Sequence, residues 1–398
     1  MWFGGMFLLW NARWIDLGKG KSANERQRQT RDGKKDFVPS SASGAGEPAP
    51  RGSGAWTLQD DWLCGTGERG LPHTHGMPDT GFVTVGLRIQ NVTTTDSKFL
   101  AKTARANRIT IGLGGLSLGL WCETGMPVSL DPEHTAFILP DGADRVCDIE
   151  VEVCWAHNLE QPSSTPSFVS GGLWTAFAEK TGTKFYFSSP TLGPAPYKAA
   201  WFDESFDRGH LVLNRSSFPQ DRPIFPLEYP IDELVMMHRL SLGEGVEVHA
   251  LGLADRDGSG YLFLGHSGAG KSTTARLWQA QPGVQLLSDD RIIIRKIDGC
   301  YYMYGTPWHG DAGVATAGSA PLTAIFLLEQ APHNQLLPLP QAQAAAELFA
   351  RCFVPYYREA GLKFTLSFFD ELSRSIPCST FRFAPTENAV EAIRHVCA

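Results

Sequence analysis

No run in the 398 residues approaches the eighteen or so apolar residues that a membrane span needs. Paired cysteines are missing as well. The eight cysteines, Cys64, Cys122, Cys147, Cys154, Cys300, Cys352, Cys378 and Cys397, form no CxxC, so they read as scattered, reduced thiols. Positive charge is in deficit: the formal net charge is -7, which leaves no basic footprint for nucleic acid. The apolar start, Met1 to Trp10, lacks the basic residues that precede a secretory signal; they follow it instead. These absences point to a cytoplasmic protein with no membrane span and no nucleic-acid partner. Cys64, His73 and His75 offer three candidate zinc ligands, but a Gly/Pro-rich loop explains them as well.

What is present changes character along the chain. Residues 1–80 read as a mostly disordered extension, because Leu17 to Ala55 is rich in Lys, Arg, Ser, Gly and Pro and poor in large apolar side chains. Limited proteolysis should remove this tail first and leave a core starting between about Asp60 and Asn107; a tail as resistant as the core would mean a missed folded element. Residues 81–230 read as a β-rich region. Period-two runs appear at Val83 to Ile89, Arg108 to Leu113, Gly115 to Trp121, Asp148 to Trp155, Lys184 to Phe187 and His210 to Leu213.

Residues 231–398 alternate between helix and strand. Ile231 to Leu242 reads as a short helix whose apolar stripe is Ile231, Leu234, Val235 and Leu242, with His238 on the same face. Strands are expected at Val246 to Leu253, Tyr261 to Leu264, Val284 to Ser288, Arg291 to Ile297, Cys300 to Tyr304, Leu322 to Leu328 and Phe381 to Phe383. Asp298-Gly299 is a strong signal for a type I′ hairpin turn. Helices are expected at Gly270 to Gln281, Gln341 to Phe353, Leu362 to Ser373 and Glu387 to Val396.

The sequence Gly265-His266-Ser267-Gly268-Ala269-Gly270-Lys271-Ser272 fits the phosphate-loop pattern G-x-x-x-x-G-K-[ST] in full, between a strand and a helix. Glycines let the backbone curl around an oxyanion, and exposed N–H groups at the helix start, through Thr273, face the phosphates. Lys271 should reach the β- and γ-phosphates, and the Ser272 hydroxyl should ligate Mg²⁺. Asp289 and Asp290 follow the next strand, where carboxylates beside a phosphate loop can hold Mg²⁺ or accept a proton from an attacking hydroxyl. His249 lies on the strand before the loop and could pair with Asp289, although a strand histidine is more often a satisfied core residue. Gly305-Thr-Pro-Trp-His-Gly-Asp311 is either a loop near the phosphates or a structural turn with Trp308 packed inside.

Together, His249, Gly265–Ser272 and the Asp289-Asp290 pair resemble the catalytic domain of HPr kinase/phosphorylase, in the same order and nearly the same spacing. The resemblance covers about residues 246–312 well. It implies the α/β P-loop fold shared with ATP-dependent phosphoenolpyruvate carboxykinase, preceded here by a smaller β-rich region and the N-terminal tail. It also implies ATP and Mg²⁺ as cofactors, Asp289 as proton acceptor working with His249, and Asp290 as metal support. The family's E-x-R-G-x-G signature, tied to phosphorolysis, has no counterpart here. The chain therefore looks more like the HPr-kinase-like proteins encoded with ribosomal and lasso-peptide tailoring systems, whose acceptor is a serine of a precursor peptide. The expected activity is transfer of the γ-phosphoryl group to a serine hydroxyl of a protein or peptide. The alternatives are a nucleotide-binding or peptide-binding regulator without turnover, and a carboxykinase-like enzyme acting on a small acid.

Overall fold

Two sheets account for most of the ordered backbone, and each follows from its own sequence pattern. The computed structural model describes residues 107–140, 146–219, 221–386 and 388–397, all within one compact unit, Lys98–Ala398. The expected tail, the strand at Val83 to Ile89 and the Cys64, His73, His75 group lie outside the described residues.

The first sheet is built from β1 (Asn107–Leu113), β2 (Leu116–Cys122), β3 (Ile149–Ala156), β4 (Phe168–Val169), β5 (Trp174–Glu179), β6 (Gly182–Ser189), β7 (Gly193–Asp203) and β8 (Arg208–Asn214). Its order is β1-β2-β3-β8-β7-β6-β5-β4. A short 3₁₀ turn, Pro132–Phe137, leans on β1. The alternating runs that predict β1, β2 and β3 place Ile111, Leu113, Leu118, Leu120, Val151 and Val153 in one core. Helix α1 (Ile231–Arg239) buries Ile231, Leu234 and Val235 in that core.

The second sheet contains β9 (Val246–Ala254), β10 (Gly260–Leu264), β11 (Gln285–Ser288), β12 (Arg291–Ile297), β13 (Cys300–Tyr304), β14 (Ser319–Gln330), β15 (Gln335–Pro338), β16 (Cys352–Phe353) and β17 (Cys378–Phe383). Strand β10 pairs antiparallel with β9 and parallel with β14, and β14 runs parallel to β17. Helices α2 (Lys271–Gln279), α3 (Gln341–Phe349), α4 (Glu359–Ser375) and α5 (Asn388–Cys397) cover it. Leu348, Phe368, Phe369 and Leu372 of α3 and α4 belong to one core, and Ala275, Trp278, Val390 and Ile393 of α2 and α5 to another. Helices on both faces of a partly parallel sheet make this a mixed α/β protein. Among the described residues, no helix is long and apolar enough to cross a membrane.

Several expectations meet the structure residue by residue. Asp298 and Gly299 both have positive φ, 49° and 86°, as a type I′ turn requires. Helix α1 stops earlier than its stripe suggests: Leu240–Glu244 is a wide turn with Gly243 at φ 112°, so Leu242 faces out and Leu240 is buried instead. The helix expected to run to Phe353 ends at Phe349. Cys352 and Phe353 pair with Val248 and Glu247 of β9, and ladder bonds there replace the last helical turn.

Candidate phosphate-binding site

Five buried residues of β10 lead directly into Gly265. The chain then turns back on itself, with the Ala269 N–H on the His266 carbonyl at 3.1 Å, before α2 starts at Lys271. Gly268 and Gly270 take φ of 85° and 112°, a region where a Cβ is strained. At Gly270 a Cβ would also come within 2.6 Å of the Phe383 ring. Gly270 provides no side-chain cap to α2. The first N–H groups of a helix have no partner within it, so this end favours an anion. Gln330, at the end of β14, fastens the loop by donating to the Gly268 carbonyl at 2.7 Å.

Lys271 is 9% exposed, and its Nζ donates to the Gly265 carbonyl at 2.8 Å. Its charge is thus held over the inside of the loop. Ser272 and Thr273 are half-buried on the first turn of α2, while His266, Ser267 and Gly268 are exposed. Beside the loop lies a cavity of ≈ 570 Å³, bounded by His266, Ala269, Gln330, Glu347 and Arg351 among others. That volume lies within the roughly 300–1,000 Å³ usual for small-molecule sites.

The turn from β11 to β12 carries the two aspartates. Ser288 Oγ shapes it by accepting from the Asp290 and Arg291 N–H groups at 3.3 and 3.2 Å and donating to the Trp308 carbonyl at 3.1 Å. The two carboxylates have different partners. Asp289 is buried, and its oxygens accept the backbone N–H groups of Gly310 at 2.9 Å, Ala312 at 2.8 Å and Val314 at 3.3 Å. Asp290 keeps 20% of its side chain exposed, with Oδ1 2.9 Å from His249 Nδ1 and Oδ2 accepting from Arg291. The expected pairing of His249 with Asp289 is therefore corrected: the histidine meets Asp290, because Asp289 is occupied by the loop at 310–314.

His249 cannot use Nδ1 both to donate to Asp290 and to accept from Arg291 at 3.3 Å. The shorter contact makes Nδ1–H the donor to Asp290 and leaves Nε2 as an acceptor. Burial, helped by the charges of Lys271 and Arg291, lowers the His249 pKa despite Asp290, so the ring is neutral near pH 7. Burial raises the Asp290 pKa, but the His249 hydrogen bond and the charges of Arg291 and Lys271 outweigh it and hold the group at about 2. Asp290 is therefore ionised at any working pH. Leu264, the residue before Gly265, pairs with Ala250, next to His249, which sets this pair beside the glycine-rich loop.

The loop at 305–311 is anchored at several points. Thr306 Oγ1 donates to the Arg291 carbonyl at 2.8 Å, and Trp308 Nε1 donates to Asp232 at 2.7 Å. Its role as a packed turn and its place beside the aspartates thus hold together. Behind the site lies a group of acids that the sequence patterning passed over: Asp232, Glu233 and Glu247, buried at 0%, 3% and 0% exposure. Burial first, and then Glu233, raises the Glu247 pKa well above the carboxylate range. One signal was available, since Glu247 and His249 are two apart on β9 and therefore share a face. Among the described residues, no group of three His, Cys, Asp or Glu side chains converges as a metal site.

No curated protein matches the chain. Residues 231–353 match the family model described as SynChlorMet cassette protein ScmC. Among solved structures, the chain is similar to the HPr(Ser) kinase/phosphatase from Coxiella burnetii, with 15% identity over 38% of this chain and 95% of that one, at a TM-score of 0.23.

Proposed function

We propose that this protein is an ATP-dependent phosphotransferase of the HPr-kinase-like P-loop type, and that its acceptor is a serine hydroxyl of a protein or peptide. The observation that carries this reading is the loop at 265–272, with its left-handed glycines and buried lysine, beside an ionised aspartate in contact with a histidine. In this reading residues 231–398 form the catalytic part, after a β-rich region at 81–230 and the N-terminal extension.

The backbone N–H groups at the start of α2, residues 271–273, would face the phosphates of the nucleotide, and Lys271 would hold a phosphate oxygen in place of the Gly265 carbonyl. Bound Mg²⁺ would neutralise charge on the phosphates, and Ser272 is the residue to ligate it. Mg²⁺ suits a site with few protein ligands, because it keeps waters and takes phosphate oxygens. Metal support by Asp290 fits less well, since Arg291 already sets a cation against Oδ2 and a second one would be crowded there. We assign Asp290, rather than Asp289, to accept the proton of the attacking hydroxyl. Such transition states are loose, so the hydroxyl proton leaves late, and a carboxylate of low pKa can orient the nucleophile before taking it. His249 holds that carboxylate in place.

The test uses purified protein, Mg²⁺ and ATP labelled at the γ-phosphate. Peptides encoded beside the gene are supplied with and without their serines. Label should appear on serine, and nucleotide consumption should rise with peptide. Firm Mg-ATP binding without any peptide-dependent turnover would instead mark a nucleotide-binding regulator.

A further inference from the structure

The guanidinium of Arg291 is the most heavily partnered charge near the aspartate pair. Its Nε donates to Glu233 Oε1 at 2.8 Å and lies 3.6 Å from Glu247 Oε1, while NH1 donates to Asp290 Oδ2. The Phe353 ring lies under it, 4.1 Å from the guanidinium carbon to the ring centroid. Glu233 comes from the first turn of α1, Glu247 from β9 and Phe353 from β16. Three separate elements therefore surround one planar group whose remaining edge meets the half-buried Asp290 carboxylate. A planar fork gripped at Nε and stacked on a ring has little freedom left, so the direction of NH1 is set.

We infer that Arg291 is a positioning residue: braced by Glu233 and stacked on Phe353, it holds the Asp290 carboxylate in the orientation that meets His249 and faces the phosphate loop. The catalytic consequence rests on the transferase reading above, whereas the placement of Asp290 does not. Asp232, next to Glu233 on the same turn, bonds both Trp308 Nε1 at 2.7 Å and His134 Nε2 at 3.1 Å. One helical turn thus supports the aspartates from two sides, through Arg291 and through the loop that Asp289 holds. Displacing a reacting group by an ångström can cost about 10²-fold in rate, while nucleotide affinity depends on the loop and α2.

Arg291→Lys keeps the charge but cannot span Glu233 and Asp290 with a planar fork. Glu233→Gln leaves Arg291 in place and weakens its brace, and it serves if the lysine variant fails to fold. Both full-length variants are compared with wild type in Mg-ATP binding, in peptide-dependent turnover, and in the nitrogen-15 spectrum of the His249 ring. We expect a kcat lower by about 10–100-fold in Arg291→Lys, less in Glu233→Gln, with the dissociation constant for Mg-ATP within about threefold. The Nδ1–H signal of His249 should lose its hydrogen-bonded shift. An unchanged His249 spectrum in the folded variants overturns the inference, as does an unchanged kcat in an active enzyme. If wild type shows no turnover, the transferase reading fails, and the His249 spectrum alone decides whether Arg291 positions Asp290.

Discussion

Lys271→Ala should raise the dissociation constant for Mg-ATP by about ten- to a hundredfold, because a hydrogen bond to a charged group contributes about 1.5–3 kcal/mol and each 1.4 kcal/mol is tenfold. Transfer should fall further, by about 10²–10³-fold at saturating nucleotide, since a fixed cation aimed at the moving charge counts most in the transition state. In the free protein the ammonium rests on the Gly265 carbonyl, so the side chain is already poised over the loop. Truncation leaves that carbonyl without this donor, and the loop then relies on Gln330 and its own turn. Calorimetry with Mg-ATP and single-turnover transfer check the two parts separately. Wild-type affinity and turnover in the variant would remove the phosphate-loop assignment altogether.

Asp290→Asn and Asp289→Asn should fail in different ways. At Asp290 the amide keeps the shape but cannot take a proton, and general-base catalysis contributes roughly 10²–10⁴-fold. Transfer should fall by about that factor, with nucleotide affinity unchanged or slightly tighter, because one negative charge near the phosphates is gone. Asp289 instead accepts three backbone N–H groups from residues 310–314. Asparagine has one acceptor oxygen, and its NH₂ would face a donor. The expected cost is stability, about 1–3 kcal/mol for a buried group left unsatisfied, read as a lower urea midpoint. Turnover per folded molecule should change far less than at Asp290. The reverse pattern, with the rate loss at Asp289 and the stability loss at Asp290, would restore the assignment expected from the family resemblance.

Much of the second sheet was legible because its signals are local. Tyr261 to Leu264 is a short apolar run before a glycine, and Asp298-Gly299 is a two-residue turn with both φ positive. Other elements carried no such signal. Strand β7 contains Gly193, Pro194 and Pro196 and lacks clean alternation, yet it pairs with β6 on one side and β8 on the other. It is stabilised there by long-range contacts, including buried Lys198, whose Nζ donates to the Pro226 carbonyl at 2.8 Å. Strand β5 is interrupted by alanines with weak strand preference, and pairing with β6 decides its state. The end of α3 was decided the same way, by β9 capturing Cys352 and Phe353.

The sequence by itself determined the glycine-rich loop at 265–272. Glycine spacing, a lysine and a strand before it are properties of one short segment, and φ at Gly268 and Gly270 depends on little else. It also put two carboxylates after the following strand. Only the tertiary structure decided what each of them meets. Adjacent residues on a tight turn point different ways, and what each meets comes from distant parts of the chain. The loop 21 to 25 residues beyond Asp289 occupies that carboxylate, while His249, on β9, meets Asp290. Glu233, 58 residues before Arg291, braces the arginine that holds Asp290. Such partners are set by how helices and sheets stack, which no local pattern encodes.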